Sequence, residues 1–383
     1  MTRRQRVAVL YGGRSGEHEI SLRSATAIIG ALDATRYEIV PIAITKDGRW
    51  RTGIDSLRLL EEAQRDLKPI PEYGLEVMLP PDPTRGAFVP VGGGQSIPVD
   101  VVFPVLHGTY GEDGTVQGVL EMAGLSYVGA GVAASAVGMD KALMKAAFRD
   151  AGLPVCRWLV AHPGVESVDE IRRRVEPELG FPCFVKPANL GSSVGITKVK
   201  TAAGLPAALA EAAAYDPKVV IEETVTAREL ECGVLGNHAP EASVVGELVP
   251  SHEFYDYADK YIDEGARAVI PAALSPEIIA EAQRLAIQGF CAVDCSGLAR
   301  VDFFYDERNG RVLLNEINTM PGFTRSSMFP KLWEASGVGF PALVDRLIAL
   351  AGERHAERGR RRLSFTPPVA AVSGARRSSG GSR

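Results

Sequence analysis

Short apolar runs and stretches of helical spacing alternate along the first third of the chain. Apolar runs at residues 7–10, 39–44 and 99–106 each predict a buried strand. Apolar residues recur at helical spacing over residues 21–32, and a further helix is predicted over residues 116–123. Alternating strands and helices are typical of a parallel α/β unit, whose binding loops lie at the carboxyl ends of its strands.

The remainder of the chain predicts two further units of mixed helices and strands. Strand patterns at residues 158–161 and 183–186, with helices around them, indicate a small central unit. Beyond it, strand patterns surround a long loop and a helix at residues 276–292, and a last helix is predicted over residues 340–351. We therefore predict an α/β protein, α+β overall. The predicted domains are an N-terminal parallel α/β domain (1–135), a small central α+β domain (136–218), a C-terminal α+β domain (219–352) and a disordered basic tail (353–383).

Length and composition agree with several packed domains. At 383 residues the chain is too long for one ordinary core, and its 46% apolar and 23% charged residues are typical of a soluble globular protein. The net charge of −5 argues against a nucleic-acid-binding protein, although residues 353–383 carry eight Arg and two Glu. No apolar run approaches the roughly 20 residues of a membrane span, and the first run is too short for a signal peptide. Five cysteines without a CxxC pair favour a reducing, cytoplasmic setting.

The most informative stretch is ARVDFFYDERNGRVLLNEINTMPG, residues 299–322. It predicts two strands joined by a tight turn, with Asp302 on the first strand and Glu316 and Asn318 at the end of the second. In an antiparallel pair these side chains can converge on one face, and two carboxylates with an amide suit Mg²⁺. The alternative is a set of ordinary strand-end charges, but an acid among Leu and Ile residues is poorly solvated without a partner. Arg300 lies two residues before Asp302 and points to the same side, where a guanidinium can stabilise a phosphoryl group or an oxyanion.

A second informative stretch is FVKPANLGSSVGITKV, residues 184–199. Its lysine, Lys186, precedes a loop of glycine and serine, whereas the lysine of a Walker A loop closes the loop. Together with Lys141 on an upstream helix, the Gly/Ser flap and the metal-binding strands, Lys186 predicts a clamp on the phosphates of a nucleotide. The alternative is a linker loop with solvated lysines.

These motifs together resemble those of the ATP-grasp ligases, and among them the D-alanine–D-alanine ligase family. The resemblance runs from residue 7 to about residue 350, and its motifs are specific only in combination. They are GGRSGEHEISL (12–22), LHGTYGEDGTVQG (106–118), MDK (139–141), VKPANLGSSVGITKV (185–199), FYDYADKY (254–261), ARVDFF (299–304) and NEINTMPGFTRSSMFP (315–330).

The resemblance implies an ATP-grasp fold and a two-step ligation. The carboxylate of one D-alanine attacks the γ-phosphate of ATP, which gives an acyl phosphate and ADP. The amine of a second D-alanine then displaces phosphate, which gives D-alanyl-D-alanine for peptidoglycan precursors. The resemblance also implies ATP with two Mg²⁺ or Mn²⁺ ions, a cytoplasmic homodimer, and no nucleic-acid or membrane partner. Metal ions and lysines would neutralise the transferring phosphoryl group.

The resemblance further implies which residues face the two amino acids. Glu17 would hold the ammonium of the first D-alanine and His107 would lie near its carboxylate, although an acid at a helix start and a lone histidine also have purely structural explanations. Ser192 in the flap would hydrogen-bond to Glu17 and to Tyr261 on the long loop, which would lock both loops over the substrate. The residues implied around the second step are Arg300 and the backbone N–H of Gly322 for the oxyanion, and Ser327 and the backbone of Met328 for the second carboxylate.

The same resemblance implies a nucleotide site. Its members are Lys141, Lys186 and Lys260 at the phosphates, Ser193 in the flap, Glu222, Glu223 and Val225 at the adenine, Glu229 at the ribose, and Asp302, Glu316 and Asn318 at the metal. One residue departs from the family pattern, because many members have a lysine where this chain has Glu223. If the contact there is made by the backbone, the departure changes little.

Two rival functions remain open from the sequence. A D-alanine–D-lactate ligase would use the same chemistry with a hydroxyl nucleophile, but such enzymes tend to have a histidine where this chain has Tyr261. A non-catalytic ATP-binding module of the ATP-grasp type would use the same clamp. It would have no need of the oxyanion arginine, Arg300.

Overall fold

The structure is a computed structural model, and it describes residues 3–53, 74–249, 267–362 and 365. Within these residues the chain forms sheets of eight, four and five strands. The sheets follow one another along the chain, and helices pack between them.

The first sheet contains the predicted parallel α/β unit. Its strands are β1 (Gln5–Gly12), β2 (Tyr37–Ile44), β3 (Trp50–Thr52), β4 (Leu75–Met78), β5 (Ala87–Pro90), β6 (Ile97–Pro98), β7 (Val101–Pro104) and β8 (Ser126–Tyr127), and its helices are α1 (His18–Ala31) and α2 (Thr115–Met122). The strand order is β6-β5-β4-β3-β2-β1-β7-β8. The parallel arrangement is confirmed for β2, β1, β7 and β8, whereas β3 to β6 pair antiparallel and extend the sheet at one edge. The apolar residues of β1 from Val7 to Leu10 are fully buried, as expected for a central parallel strand.

The second sheet is antiparallel and small. The elements around it are α3 (Val132–Met139), α4 (Lys141–Asp150), β9 (Trp158–Ala161), α5 (Val168–Glu178), β10 (Cys183–Pro187), β11 (Thr197–Val199), a 3₁₀ turn (Ala202–Gly204), α6 (Leu205–Tyr215) and β12 (Val219–Glu223). The strand order is β11-β10-β12-β9. Because β12 pairs with β10 and β9, the sheet continues past residue 218, where we predicted the central domain to end. The division of the chain into domains stays a prediction.

The third sheet carries the acidic strands that the sequence singled out. Its elements are β13 (Arg228–Gly236), β14 (Glu241–Val249), β15 (Arg267–Val269), α7 (Pro276–Ala292), β16 (Gly297–Asp306), β17 (Arg311–Asn318), α8 (Met328–Ala335) and α9 (Phe340–Gly359). The strand order is β15-β14-β13-β16-β17, and all neighbours are antiparallel. The loop after β17 returns to the first sheet, where the rings of Phe103 and Phe323 lie 6.0 Å apart between centroids.

The last helix is longer than the sequence indicated. We predicted its end at residue 351 and a disordered tail from residue 353, but α9 continues to Gly359. Arg354 explains the difference, because its guanidinium donates to the carbonyl of Tyr127 at 3.0 Å and to the hydroxyl of Ser296 at 2.7 Å. It also lies 4.3 Å from the centre of the Tyr127 ring. The remainder of the predicted tail lies outside the described residues, apart from residues 360–362 and 365.

No single helix in the described ranges is both long and apolar enough to cross a membrane. Helices α8 and α9 reach the required length and composition only as a pair, and the chain turns by 102° between them.

Candidate active site

Pairing in the third sheet places a row of three carboxylates on one face. Glu231 of β13 is opposite Asp302 of β16, and Asp302 is opposite Glu316 of β17. The next row on the same face holds Arg300, opposite Asn318. The structure therefore brings together Arg300 and the three predicted metal ligands, and it adds Glu231, which the sequence analysis missed.

Arg300 is a fixed cation within this cluster. Its guanidinium donates to both oxygens of Asp302, at 2.7 and 2.6 Å, and its Nε lies 3.0 Å from a carboxylate oxygen of Glu231. Burial lowers the pKa of Arg300, but the charges of Asp302 and Glu231 raise it by more. The pKa of Arg300 therefore lies well above its usual value. Asn318 donates its amide hydrogen to Asp302 at 3.0 Å. The two-pronged contact fixes the plane of the guanidinium, which a lysine could not reproduce.

The predicted metal ligands have the donor chemistry of a Mg²⁺ or Mn²⁺ site. No group of three or more His, Cys, Asp or Glu in the described ranges is arranged to hold a metal ion. The predicted set differs from such a group because one member is the amide of Asn318, and the other two are the carboxylates of Asp302 and Glu316. Hard oxygen donors of this kind fit a divalent cation whose remaining ligands are phosphate oxygens and water.

The loop after β17 is held against the first sheet by a buried histidine. His107 Nδ1 lies 3.0 Å from the carbonyl oxygen of Met320, so this nitrogen carries the hydrogen. The backbone N–H of Phe323 donates to Ser24 Oγ at 3.2 Å, and Ser24 Oγ lies 3.0 Å from His107 Nε2. Nε2 therefore accepts the hydroxyl hydrogen, and burial lowers the pKa of His107. A neutral His107 of one tautomer thus positions the loop that carries Gly322, and its predicted contact with a substrate carboxylate stays a prediction.

Glu17 and the flap are in contact, as the sequence predicted. Ser192 Oγ donates a hydrogen bond to Glu17 Oε1, and both Ser192 and Ser193 have positive φ angles, of 53° and 59°. Position 108 favours glycine, since its φ is +72° and an added Cβ would lie 2.6 Å from Glu17 Oε2, which would have to shift. The other predicted partner of Ser192, Tyr261, lies outside the described residues, and so does Lys260.

A second carboxylate near Glu17 was not identified from the sequence. Glu112 is partly buried, and its Oε2 accepts the backbone N–H of Gly108 at 2.6 Å. Burial and the nearby Glu17 raise the pKa of Glu112 to about 8. Glu112 stands in the motif LHGTYGEDG, but only its position in the folded loop brings it near Glu17. It therefore holds a proton at neutral pH beside a carboxylate predicted to bind an ammonium.

The predicted phosphate lysines have different neighbours. Lys141 is the first residue of α4, and its ammonium donates to the carbonyl of Leu190 at the start of the flap, at 2.6 Å. Lys186 on β10 donates to Glu222 Oε2 at 2.6 Å. Lys145, one turn after Lys141, also contacts Glu222, at 3.2 Å. No sequence pattern singles out Lys145, because lysines on helices are normally exposed.

The predicted adenine and ribose residues lie in β12, in β13 and in the segment between them. Glu222 is buried, with 2% of its side chain exposed. Glu223 turns elsewhere, since its carboxylate accepts the backbone N–H and the guanidinium of Arg157, each at 2.7 Å. The residue that departs from the family pattern, Glu223, is thus paired with Arg157. Val225 lies between the two strands and Glu229 lies on β13.

The predicted site for the second carboxylate lies at the start of α8. Ser327 immediately precedes the helix and Met328 is its first residue. The backbone N–H of Thr324 donates to Ser327 Oγ at 3.1 Å, and a Cβ on Gly322 would lie 3.1 Å from the same oxygen. Helix N-termini favour anionic groups, so the position suits a carboxylate.

Comparisons with known proteins match the N-terminal and the C-terminal segments that form this site. The family model described as D-ala D-ala ligase N-terminus matches residues 6–130, and the one described as D-ala D-ala ligase C-terminus matches residues 147–349. The D-alanine--D-alanine ligase of Thermoanaerobacter sp. (strain X514) is 49% identical over 360 residues, which are 93% of this chain and 99% of that protein. The D-alanine-D-alanine ligase from Coxiella burnetii has a similar structure, with a TM-score of 0.80, 39% identity and coverage of 93% and 96%. The VanG D-Ala:D-Ser ligase from Enterococcus faecalis has a TM-score of 0.82, 34% identity and coverage of 91% and 100%.

Proposed function

The chain belongs to the D-alanine–D-alanine ligase family, with its ATP-grasp fold, and we propose that it joins two D-alanine molecules into D-alanyl-D-alanine. ATP is cleaved to ADP and phosphate, and the dipeptide serves peptidoglycan precursor synthesis. The proposal follows from family membership, and the geometry of the site supports it.

The observation that carries the proposal is the fixed guanidinium of Arg300. It lies on one sheet face with the carboxylates of Asp302 and Glu316 and is held by two hydrogen bonds to Asp302. A module that only bound nucleotide would have no need of a rigid, permanently charged donor beside the phosphate site. A donor that is already oriented stabilises charge that develops in a transition state without reorganising.

In the first half-reaction, the carboxylate of the first D-alanine attacks the γ-phosphorus of ATP, and the bond to the β-phosphate oxygen breaks. Lys141 and Lys186 bind the phosphates, and Ser193 and Lys260 bind the nucleotide from the flap and the long loop. Glu222 with the backbone through Glu223 and Val225 faces the adenine. Support for this assignment comes from Lys141, whose contact with Leu190 ties the first lysine to the flap. Positioning and charge neutralisation supply most of the catalysis in phosphoryl transfer.

In the second half-reaction, the neutral amine of the second D-alanine attacks the carbonyl carbon of the acyl phosphate, and phosphate leaves from the tetrahedral intermediate. Arg300 and the N–H of Gly322 donate to its oxyanion. Glu17 holds the ammonium of the first D-alanine, and the flap closes over it through Ser192 and Tyr261. Ser327 and the backbone of Met328 hold the second carboxylate. Support comes from the Ser192–Glu17 hydrogen bond and from His107, which fixes the loop of Gly322.

Asp302, Glu316 and Asn318 would hold Mg²⁺ or Mn²⁺ ions, which would supply positive charge to neutralise the transferring phosphoryl group. Glu229 would contact the ribose. We place the reaction in the cytoplasm, and the five cysteines, which are all free thiols, agree with a reducing compartment. A homodimer stays a prediction.

The decisive test is phosphate release from ATP and Mg²⁺ with four substrate sets: D-alanine, L-alanine, D-alanine with D-lactate, and D-alanine with D-serine. Products are identified by mass spectrometry. We expect release only with D-alanine present and one D-alanyl-D-alanine per phosphate, with that dipeptide dominating the mixtures. A depsipeptide or a D-alanyl-D-serine product in the mixtures would assign a different second substrate. ATP binding without turnover of any amino acid would establish the non-catalytic module instead.

Two variants separate the nucleotide clamp from the flap. Lys186→Ala should weaken ATP binding or turnover directly, and equal nucleotide affinities of variant and wild type would remove Lys186 from the phosphate site. Ser192→Ala should raise the KM for D-alanine more than the Kd for ATP, because Ser192 contacts Glu17, which we assign to the amino acid and not to the nucleotide. A matched pair of isothermal titrations with ATP measures both affinities.

A further inference from the structure

A buried group of two lysines, one glutamate and one thiol lies beneath the nucleotide site. Glu222 of β12 is held between Lys186 of β10, at 2.6 Å on Oε2, and Lys145 of α4, at 3.2 Å on Oε1. Cys156 Sγ lies 3.4 Å from the Lys145 ammonium and 3.8 Å from Glu222. Lys145 also donates to the carbonyl of Asn315 at 3.4 Å. One helix, α4, and one strand, β10, therefore each place a cation beside the same carboxylate.

Asn315 stands at an irregularity of β17. Asp302 pairs with Glu316, whereas Phe303 pairs with Leu314, so Asn315 is the extra residue between two pairs. A bulge of this kind leaves a backbone carbonyl without a ladder partner, and here Lys145 supplies the hydrogen bond. Lys145 is thereby anchored to the third sheet as well as to Glu222.

The two lysines differ in access. Only 1% of the Lys145 side chain is exposed, against 11% of the Lys186 side chain. Lys145 cannot reach a ligand without leaving the core, whereas Lys186 lies at the edge of the site. Of the two cations, Lys186 is the one that a phosphate can attract away from Glu222.

The exchange would be unfavourable if Glu222 had one partner only. A buried carboxylate without a cation must take up a proton or bear a large desolvation penalty. With Lys145 in place, Glu222 keeps a counter-ion when Lys186 turns to the nucleotide. Burial alone would raise the pKa of Glu222, but Lys145 and Lys186 lower it to about 2.

We infer that Lys145 is a positioning residue for ATP binding: it is the permanent counter-ion of Glu222 and thereby frees Lys186 to bind nucleotide phosphate. The inference rests on the proposed function in one respect, namely that Lys186 binds the phosphates of ATP. It adds a residue, Lys145, that touches neither the nucleotide nor the amino acids.

The test is Lys145→Met, which keeps an unbranched side chain, one atom shorter than lysine, and removes its charge. The Kd of a non-hydrolysable ATP analogue with Mg²⁺ is measured by isothermal titration at pH 6, 7 and 8, in buffers of different ionisation enthalpy. These buffers report the protons taken up on binding, and the difference from wild type cancels protons bound by the nucleotide itself. Among the described residues, the titratable groups that face Glu222 are Lys145, Lys186 and the Cys156 thiol. The extra proton is therefore expected on Glu222.

We expect the variant to take up close to one proton more than wild type and to bind about tenfold more weakly for each pH unit above 6. Lys145→Met combined with Glu222→Gln is the matched control, because no carboxylate is left at position 222 to take up a proton, and its extra proton uptake should vanish. A loss of affinity that is equal at all three pH values, or no loss, would overturn the inference. So would loss of folding in both variants, which would make Lys145 a core residue only.

The same titrations keep the two ideas apart. If wild type does not bind the nucleotide, the proposed function fails. If wild type binds it and Lys145→Met shows no proton uptake, only the role of Lys145 fails.

Discussion

Replacing Glu112 by glutamine should make the protein more stable than wild type as the pH rises from 6 to 8. Glu112 is partly buried in the loop after β7, where its Oε2 accepts the N–H of Gly108 at 2.6 Å. Burial and the neighbouring Glu17 disfavour its charged form and raise its pKa to about 8, from an ordinary value of 4.5. Backbone N–H groups of Gly108 and Met320 oppose the shift without cancelling it.

The sign follows from proton binding. The folded protein retains a proton on Glu112 that the unfolded chain releases above pH 4.5, so the contribution of this proton is fully present below pH 4.5. It is lost as the pH rises through the folded value of about 8. Between pH 6 and pH 8 the slope is close to 1.36 kcal/mol per unit and flattens near the end, which gives a loss of about 2 kcal/mol.

The assay is urea unfolding of wild type and Glu112→Gln at pH 6, 7 and 8. Glutamine keeps the size of the side chain and can still accept the N–H of Gly108, so the contact survives while the ionisation disappears. The free energy of unfolding of the variant should gain about 2 kcal/mol on wild type across the series. Glu334→Gln, at an exposed position of α8, controls for the removal of one charge. An unfolding difference that stays constant from pH 6 to pH 8 would refute the assignment of a raised pKa to Glu112.

Three further predictions concern charge and shape. Arg300→Lys should lower kcat by roughly 10²-fold to 10³-fold while the Kd for ATP changes little, because a lysine cannot copy the two-pronged donor. Dipeptide turnover measures kcat and titration measures the Kd. Normal turnover would remove Arg300 from the mechanism. Gly108→Ala would place a Cβ 2.6 Å from Glu17 and should raise the KM for D-alanine, whereas Gly118→Ala, with open space around it, should not. Arg354→Met should cost about 2–4 kcal/mol of unfolding free energy in urea, since it leaves buried carbonyls without a donor; a loss below 1 kcal/mol, on the same order as a surface change, would contradict this.

The part of the site that could be predicted is the part that a local turn determines. The strands of Asp302 and Glu316 are joined by four residues, so their pairing and common face follow from neighbouring sequence. The flap and its lysine are local in the same way. Glu231 could not be predicted from neighbouring sequence, because its place beside Asp302 depends on the pairing of β13 with β16, which are about 70 residues apart in the chain. No periodicity within β13 distinguishes Glu231 from an ordinary strand charge.

Lys145 and Arg354 could not be predicted as contact residues for a related physical reason. A lysine or arginine in a helix is normally solvated, so the pattern of α4 does not mark Lys145 and that of α9 does not mark Arg354. Lys145 is buried and Arg354 is partly buried because a distant segment supplies each partner, namely Glu222 for Lys145 and the carbonyl of Tyr127 for Arg354. In both cases the cation joins parts of the chain that are far apart in sequence. The same contacts that hide these residues from sequence patterns hold the second sheet to the third, and the last helix to the first sheet, so the geometry of the proposed nucleotide clamp depends on them.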